Sequence, residues 1–319
     1  MRNGLAGLSD KSIVVPVIAG LTASGKSGLA LRLADTMDGE IINADSMQIY
    51  QGFDIGTAKA SNEEQTRIPH HLIDILDATE IYSVARFVED AAAAIRDIAA
   101  RGKLPIVCGG TAQYTTALLR GTRFWPLNIS ESIERSVDQR VESAGYEALL
   151  ADIARLDPET AKRLSVADQK RIRRFMLVYE ATGKTRSEMN AWANEGEPLF
   201  SYLPFCLAPE PEIIYPQIDE RTRAMYRDGL VAETQHLLER YGDPGLIPFS
   251  GIGYRHTVSF LMKELSESDM IDMTMRDTRR YAKRQRTWYR HHDHGPLFKN
   301  DEIESGFWNF QRQIDASRR

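Results

Sequence analysis

Ile13-Val-Val-Pro-Val-Ile-Ala-Gly20-Leu-Thr-Ala-Ser-Gly-Lys-Ser27 is the stretch on which the fold turns. Residues 13–19 are a short run rich in β-branched side chains that stops at Gly20, the pattern of a buried strand. Residues 27–37 place Leu29, Leu31, Leu33 and Ala34 in a pattern consistent with a helix. Between them, residues 20–27 match G-x-x-x-x-G-K-[ST], which carries weight only where a strand precedes it and a helix follows. Gly20 and Gly25 allow a tight curl whose N–H groups point inward at an anion. The helix starting near Lys26 adds its positive end. Gly20, Leu21, Thr22, Ala23, Ser24, Gly25, Lys26 and Ser27 are therefore expected to hold a phosphate or diphosphate, with Lys26 on terminal oxygens and Ser27 on Mg²⁺. The motif names neither ATP nor a phosphoryl transfer, and a chance glycine-rich turn is disfavoured by the flanking elements.

Working outward, residues 40–43 and 104–108 read as further strands and 84–100 as a helix with apolar residues at helical spacing. Strands alternating with helices predict an α/β fold: a P-loop NTPase-like parallel sheet core flanked by helices. From 130 to 194 the pattern is helical throughout, an all-α insertion domain. Residues 205–208 return to a strand, 218–240 read as one long helix, 250–254 as a glycine-containing loop and 269–292 as a last long helix. The expected division is 12–125 and 201–300 for the core, 126–200 for the insertion, and 1–11 and 301–319 for flexible tails.

The 319 residues carry a net charge of −5, which argues against an all-over coat of nucleic-acid-binding charge. Two distant cysteines make neither a disulfide framework nor a metal-ligand spacing, so a reducing cytoplasm is the expectation. The longest apolar stretch, 13–21, is too short to span a bilayer, so no membrane association is expected. The seven histidines have no partner set with zinc-site spacing.

One expected feature is missing. The strand 104–108 ends in Cys108-Gly-Gly-Thr111, where an ordinary P-loop NTPase has an Asp for Mg²⁺. An acidic residue comes instead from Ile41-Ile-Asn-Ala-Asp45-Ser46. Strand ends of a parallel sheet face one crevice, so Asp45 looks across at the loop. On spacing alone it serves equally as a site carboxylate or as an Asx-type turn or cap.

Positive charge is concentrated in two places. From 276 to 292 there are seven Lys/Arg against one Asp, and Arg276, Arg279, Lys283, Arg286 and Arg290 follow helical spacing. Tyr281, Trp288 and Tyr289 are interleaved. The second patch is Lys170-Arg-Ile-Arg-Arg174, inside the insertion. A solvated helix face is the ordinary meaning of a charge run, but the nearly single sign favours contact with a phosphate backbone.

These motifs together resemble the bacterial tRNA dimethylallyltransferases, also called tRNA isopentenyltransferases. The resemblance rests on GLTASGKS (20–27), NADSMQIY (43–50), DIGTAK (54–59), HHLIDI (70–75), YSVARF (82–87), GGTAQY (109–114), GIGYR (251–255) and KRQRTWYR (283–290), in the family's order. It implies transfer of the dimethylallyl group of dimethylallyl diphosphate to the N6 amine of the adenosine 3′-adjacent to a tRNA anticodon, with Mg²⁺ as cofactor. It further implies Asp45 as general base, Thr111 as a hydroxyl positioning Asp45 and the diphosphate, and Arg221 on the diphosphate, with Arg223 as a nearby competitor. The tRNA contacts implied are Asp45, Ser46, Met47 and Gln48 at the target base. Beyond the base they are Lys170, Arg171, Ile172, Arg173 and Arg174; Ser250, Gly251, Ile252, Gly253, Tyr254 and Arg255; and Lys283, Arg284, Gln285, Arg286, Thr287, Trp288, Tyr289 and Arg290. Lys170 departs from the family's Q-R-x-x-R, and a basic contact early in the insertion has no clean match near Glu134 and Arg135. A monomer is expected. The rivals are an adenylate isopentenyltransferase, a P-loop small-molecule kinase and a non-catalytic tRNA-binding module. The first leaves the insertion and the cationic helix without purpose.

Overall fold

The computed structural model describes residues 10–318. Six parallel strands, β1 (Val14–Gly20), β2 (Gly39–Asn43), β3 (His70–His71), β4 (Leu104–Gly109), β5 (Ser201–Leu207) and β6 (Leu297–Phe298), form one sheet in the order β3-β2-β4-β1-β5-β6. β1, β2 and β4 are buried along their whole length. That follows from helices covering both faces of a parallel sheet, and it is why these strands read as apolar runs rather than alternating ones.

The helices that follow are α1 (Lys26–Met37), the short α2 (Asn62–Arg67), α3 (Val84–Ala100) and α4 (Ala112–Arg120). Then come α5 (Glu131–Leu156), the one-turn α6 (Pro158–Ala161), α7 (Gln169–Thr182) and α8 (Arg186–Ala193). The chain closes with α9 (Pro211–Arg227), α10 (Leu230–Tyr241), α11 (Ile252–Leu261), α12 (Glu267–His291) and α13 (Ile303–Ser317). Two compact units result: Arg120–Glu197, and the residues before and after it. The helical unit has its own core, in which Val137, Leu149 and Ile153 of α5 meet Ile172, Phe175 and Met176 of α7. α5 is kinked at Gly145, whose positive φ interrupts the helix.

Three expectations need correction. Residues 301–319 were expected as a flexible tail, yet α13 packs Phe307, Phe310 and Ile314 against β5 and α1. These side chains recur at spacings of three and four, and each contributes about 1.5–3 kcal/mol on burial. Arg32 reinforces the contact through Glu304 (2.9 Å) and the Phe307 ring. Of the other expected tail, residues 1–9 lie outside the described residues, while Asp10 donates its N–H to the Leu199 carbonyl at 2.8 Å. Second, 218–240 is two helices, because Gly229 takes a left-handed φ of 109° between α9 and α10. Arg221 therefore lies inside α9 rather than opening a helix. Third, the 250–254 segment is not a loop: Gly251 caps α11, and Gly253 and Tyr254 are buried in its first turn.

Candidate active site

The carboxyl ends of β1, β2 and β4 open into a cavity of about 390 Å³ lined by Thr22, Lys26, Ser27, Asp45, Thr111 and Arg221, among others. Sequence elements nearly 200 residues apart meet there because β1 sits in the middle of the sheet, paired with β4 on one side and β5 on the other.

The loop after β1 is shaped by its backbone. Gly25 precedes α1 with φ 82°, a left-handed conformation, and no side chain caps the helix. The first amides of α1 are thus left for an anion. Lys26 Nζ donates to the Leu21 carbonyl at 3.2 Å. Arg221 reaches in from α9 and donates through Nη2 to Thr22 Oγ1. Burial lowers the pKa of both cations; Arg221 adds to the effect at Lys26, while Asp45 opposes it at Arg221. Neither has a carboxylate within ion-pair distance among the described residues. Two adjacent, partly desolvated cations without an acidic partner form a site for a polyanion. Arg223, two residues on, is exposed and absent from the cavity wall, whereas Arg221 lines it.

Across the cavity, β2 and β4 leave the sheet pressed together: a Cβ on Gly109 would lie 2.2 Å from the Ala44 carbonyl carbon. This contact places the residues after each strand side by side. Thr111 Oγ1 accepts the Ser46 N–H at 2.9 Å and lies 3.2 Å from Ser46 Oγ. Asp45 Oδ1 accepts the Met47 N–H at 2.9 Å, and the Asp45 N–H donates to Asn43 Oδ1 at 3.1 Å. One oxygen of Asp45 thus closes an Asx turn, and the residue also lines the cavity. Cys108 lines the wall where an ordinary P-loop enzyme would have an Asp, and burial pushes its thiol up to about 11.

The hydroxyls of Ser27, Thr111 and Ser46 and the carboxylate of Asp45 are all hard oxygen donors in one cavity. They fit Mg²⁺, which keeps several waters and takes only one or two protein ligands beside substrate phosphates. No group of three or more His, Cys, Asp or Glu that could hold a metal occurs among the described residues.

The residues expected at tRNA divide into outward and inward groups. In α7, Lys170, Arg171 and Arg174 are exposed. Ile172 is fully buried, and Arg173 is held bidentate by Asp138 at 2.7 and 2.8 Å, so neither is free to grip a backbone. In α12, Lys283, Arg284, Thr287 and Arg290 are exposed. Arg286 is instead an internal tie to Glu210 (2.7 Å), and Arg279 lies 3.5 Å from Asp219. The cationic stripe expected from spacing is interrupted at Arg279 and Arg286, which face carboxylates of α9 and Glu210, while Arg276, Lys283 and Arg290 are exposed. Tyr289 and Gln285 are buried as well. Near α11, Arg255 pairs with Asp277, and Ser250 Oγ donates to the Ile247 carbonyl at 2.6 Å.

Sequence reasoning missed Glu233 and the inward role of Tyr254. Glu233, on α10, accepts the backbone N–H groups of Asp54, Ile55 and Gly56 and the Tyr254 hydroxyl. It thereby pins the 54–58 loop, whose Thr57 and Ala58 carbonyls accept from Gln48 Nε2 at 3.1 and 3.2 Å. A lone Glu in an amphipathic helix carries no signal of this. Met225, Thr274, Thr278 and Tyr281 complete the wall from helices far along the chain.

Residues 48–292 match the family described as IPP transferase. A tRNA dimethylallyltransferase 1 from Trichlorobacter lovleyi is 44% identical over 86% of this chain and 90% of its own length. A tRNA dimethylallyltransferase from Pelotomaculum thermopropionicum is 39% identical over 86% and 87%. Among solved structures, the tRNA isopentenylpyrophosphate transferase of Bacillus halodurans superposes with a TM-score of 0.69 at 31% identity, covering 97% of each chain. A eukaryotic dimethylallyltransferase acting on tRNA gives 0.73 at 32% identity, over 87% of this chain and 70% of that one. With the phosphate-binding loop, the displaced carboxylate and these likenesses in agreement, the chain belongs to the IPP transferase family.

Proposed function

We propose that this protein transfers the dimethylallyl group of dimethylallyl diphosphate to the N6 amine of the adenosine 3′-adjacent to the anticodon, position 37, of tRNA. The products are N6-dimethylallyladenosine and diphosphate. The observation that carries the reading is the pairing of unneutralised Lys26 and Arg221 with Asp45 across one cavity, while β4 ends in Cys108 rather than a carboxylate. Such a site can grip a diphosphate and offer a base to a second substrate.

The chemistry follows from those groups. The adenine amine is a weak nucleophile because its lone pair is delocalised into the ring. As its nitrogen bonds to the allylic carbon, Asp45 takes its proton, and the carbon–oxygen bond breaks with its electron pair leaving on diphosphate. Lys26, Arg221 and the amides at the start of α1 stabilise the charge that develops there. Ser27 would hold Mg²⁺, which supplies further positive charge to the diphosphate. Thr111 fixes the Ser46 amide beside Asp45. The target base leaves its stack to reach Asp45, as enzymes acting on a base require. Lys170, Arg171, Arg174, Lys283, Arg284 and Arg290 contact the tRNA backbone. We read it as a monomer acting in the cytoplasm.

Labelled dimethylallyl diphosphate incubated with unmodified tRNA or AMP, and ATP incubated with candidate alcohols, test the reading. Label in tRNA is the expected result. Label in AMP makes the protein an adenylate isopentenyltransferase, and phosphoryl transfer from ATP makes it a kinase. No helix among the described residues is long and apolar enough to cross a membrane.

A further inference from the structure

Gln285 sits inside the cationic run of α12, yet it is 3% exposed and turned away from Lys283, Arg284 and Arg290. Its Oε1 accepts the Thr22 N–H at 2.8 Å, and its Nε2 donates to the Gly110 carbonyl at 2.7 Å. One amide thus ties the loop after β1 to the turn after β4. Each tied residue leads to a different half of the site. Thr22 accepts the Arg221 guanidinium, and the turn at Gly110 carries Thr111, which holds the Ser46 amide beside Asp45. The fit at the turn is close, since a Cβ on Gly110 would lie 3.0 Å from Nε2 and 3.4 Å from Lys26.

We infer that Gln285 is a positioning residue for prenyl transfer: its amide sets the separation between the diphosphate cradle and the Asp45–Thr111 side, so that leaving group and acceptor amine meet at one carbon. The inference rests on the function proposed above. It also explains why an uncharged residue interrupts a run of cations. The place needs an acceptor at one end and a donor at the other, which neither Lys nor Arg supplies. Misplacement of reacting groups by about 1 Å can cost about a hundredfold in rate, so a tie between the two halves has leverage beyond its two hydrogen bonds.

The test compares Gln285→Met and Gln285→Glu with the wild type. In Gln285→Met both bonds are lost at similar volume. The expected result is kcat lowered by about 10–100-fold, a raised KM for the donor and unchanged affinity for tRNA measured without donor. Gln285→Glu separates positioning from mere packing. Ionised, it keeps the Thr22 N–H on one oxygen but turns the other, an acceptor, against the Gly110 carbonyl. Protonated, its hydroxyl donates to Gly110 and its carbonyl accepts from Thr22, restoring both ties. Its rate relative to wild type should therefore rise as pH falls from about 8.5 to about 6. Lys26, Arg221, Asp45 and Tyr281 face the position, and the same pH series on the wild type reads their contribution without the new carboxyl. Failure of the wild type to prenylate tRNA overturns the functional reading itself. An active wild type with Gln285→Met within threefold of it overturns the positioning role alone. Where Gln285→Met does not fold, a flat Gln285→Glu ratio across the pH series overturns it.

Discussion

Asp45 and Arg174 stand at opposite ends of a scale of restraint. Around Asp45 the backbone is tied on every side, by Asn43, Met47, Thr111 through Ser46, and the tight approach of Gly109 to Ala44. Arg174 is exposed on α7, with no ion pair among those found for the described residues, and its neighbour Arg171 reaches only Asp168 one turn away. The cavity fixes its groups before any substrate arrives, as a reaction that depends on the placement of developing charge requires. On the proposed function the exposed cations need only supply charge at a distance, where position is forgiving and salt screens it. The two regions should therefore answer mutation in different currencies: rate for the first, salt-dependent affinity for the second.

The sharpest way to break this contrast is Asp45→Asn. It keeps the shape and the Asx turn but removes the proposed base, so single-turnover prenylation should fall by about 10²–10⁴ with tRNA affinity intact. Rates within threefold of wild type would take Asp45 out of the chemistry. Next in size is Arg221→Ala, expected to cost about 10²–10³ in kcat/KM for the donor by removing charge aimed at the leaving group. Arg223→Ala should be nearly silent, being exposed and off the wall. Steady-state kinetics over a donor series reads both, and a reversed pair would displace the diphosphate site.

How much of this was legible beforehand differs by region for physical reasons. The strand, loop and helix around residues 13–37 were readable because periodicity, glycine placement and phosphate chemistry all act locally there. Asp45 was readable as a candidate because parallel strand ends must share a crevice. The side of α12 that faces inward was not readable, since a run of Arg at helical spacing looks the same whether it meets solvent or, like Arg286, the carboxylate of Glu210. Gln285 did leave a trace, as the uncharged residue among cations. Glu233 left none, because three backbone amides 177–179 residues away define its partners. α13 left a clear trace in Phe307, Phe310 and Ile314, and was overlooked because polar residues surround them.

A smaller effect tests whether the frame beneath the cavity is held as firmly as its rim. Glu40 on β2 is buried, and the Arg101 guanidinium, followed by the His71 ring 2.7 Å away, holds its carboxyl down to about 2 against burial that pushes the other way. Its folded pKa lies below the ordinary 4.5, so the stability it contributes is complete above about pH 5 and drains as pH falls toward 2. Glu40→Gln should lower Tm by about 2–5 °C at pH 7, and the difference from wild type should narrow as the melt is repeated at lower pH. Arg101 is substantially exposed, which keeps the effect modest. A constant difference across the series would mean that packing, rather than charge, holds this end of β2.

The smallest expected effect bears most directly on the exposed cations. Arg171 and Arg174 lie on one face of α7 at a spacing of three, while Ile172 is locked in the core of the helical unit. Replacing both arginines by Ala therefore removes charge without touching the core. Each phosphate contact releases counterions, so each one lost should lower the slope of log affinity against log salt by somewhat under one unit. The double variant should bind all substrate tRNAs a few-fold more weakly at moderate salt and converge with wild type at high salt. Choice of the target adenosine should survive, because phosphate contacts position while base contacts specify. Arg173→Ala supplies the contrasting case. Its guanidinium is spent on Asp138, so it should loosen the helical unit in a melt while leaving the salt slope alone. Filter binding across a salt series distinguishes the two. An unchanged slope in the double variant would return this face of α7 to ordinary solvent exposure and leave the outer cations of α12 to carry the tRNA.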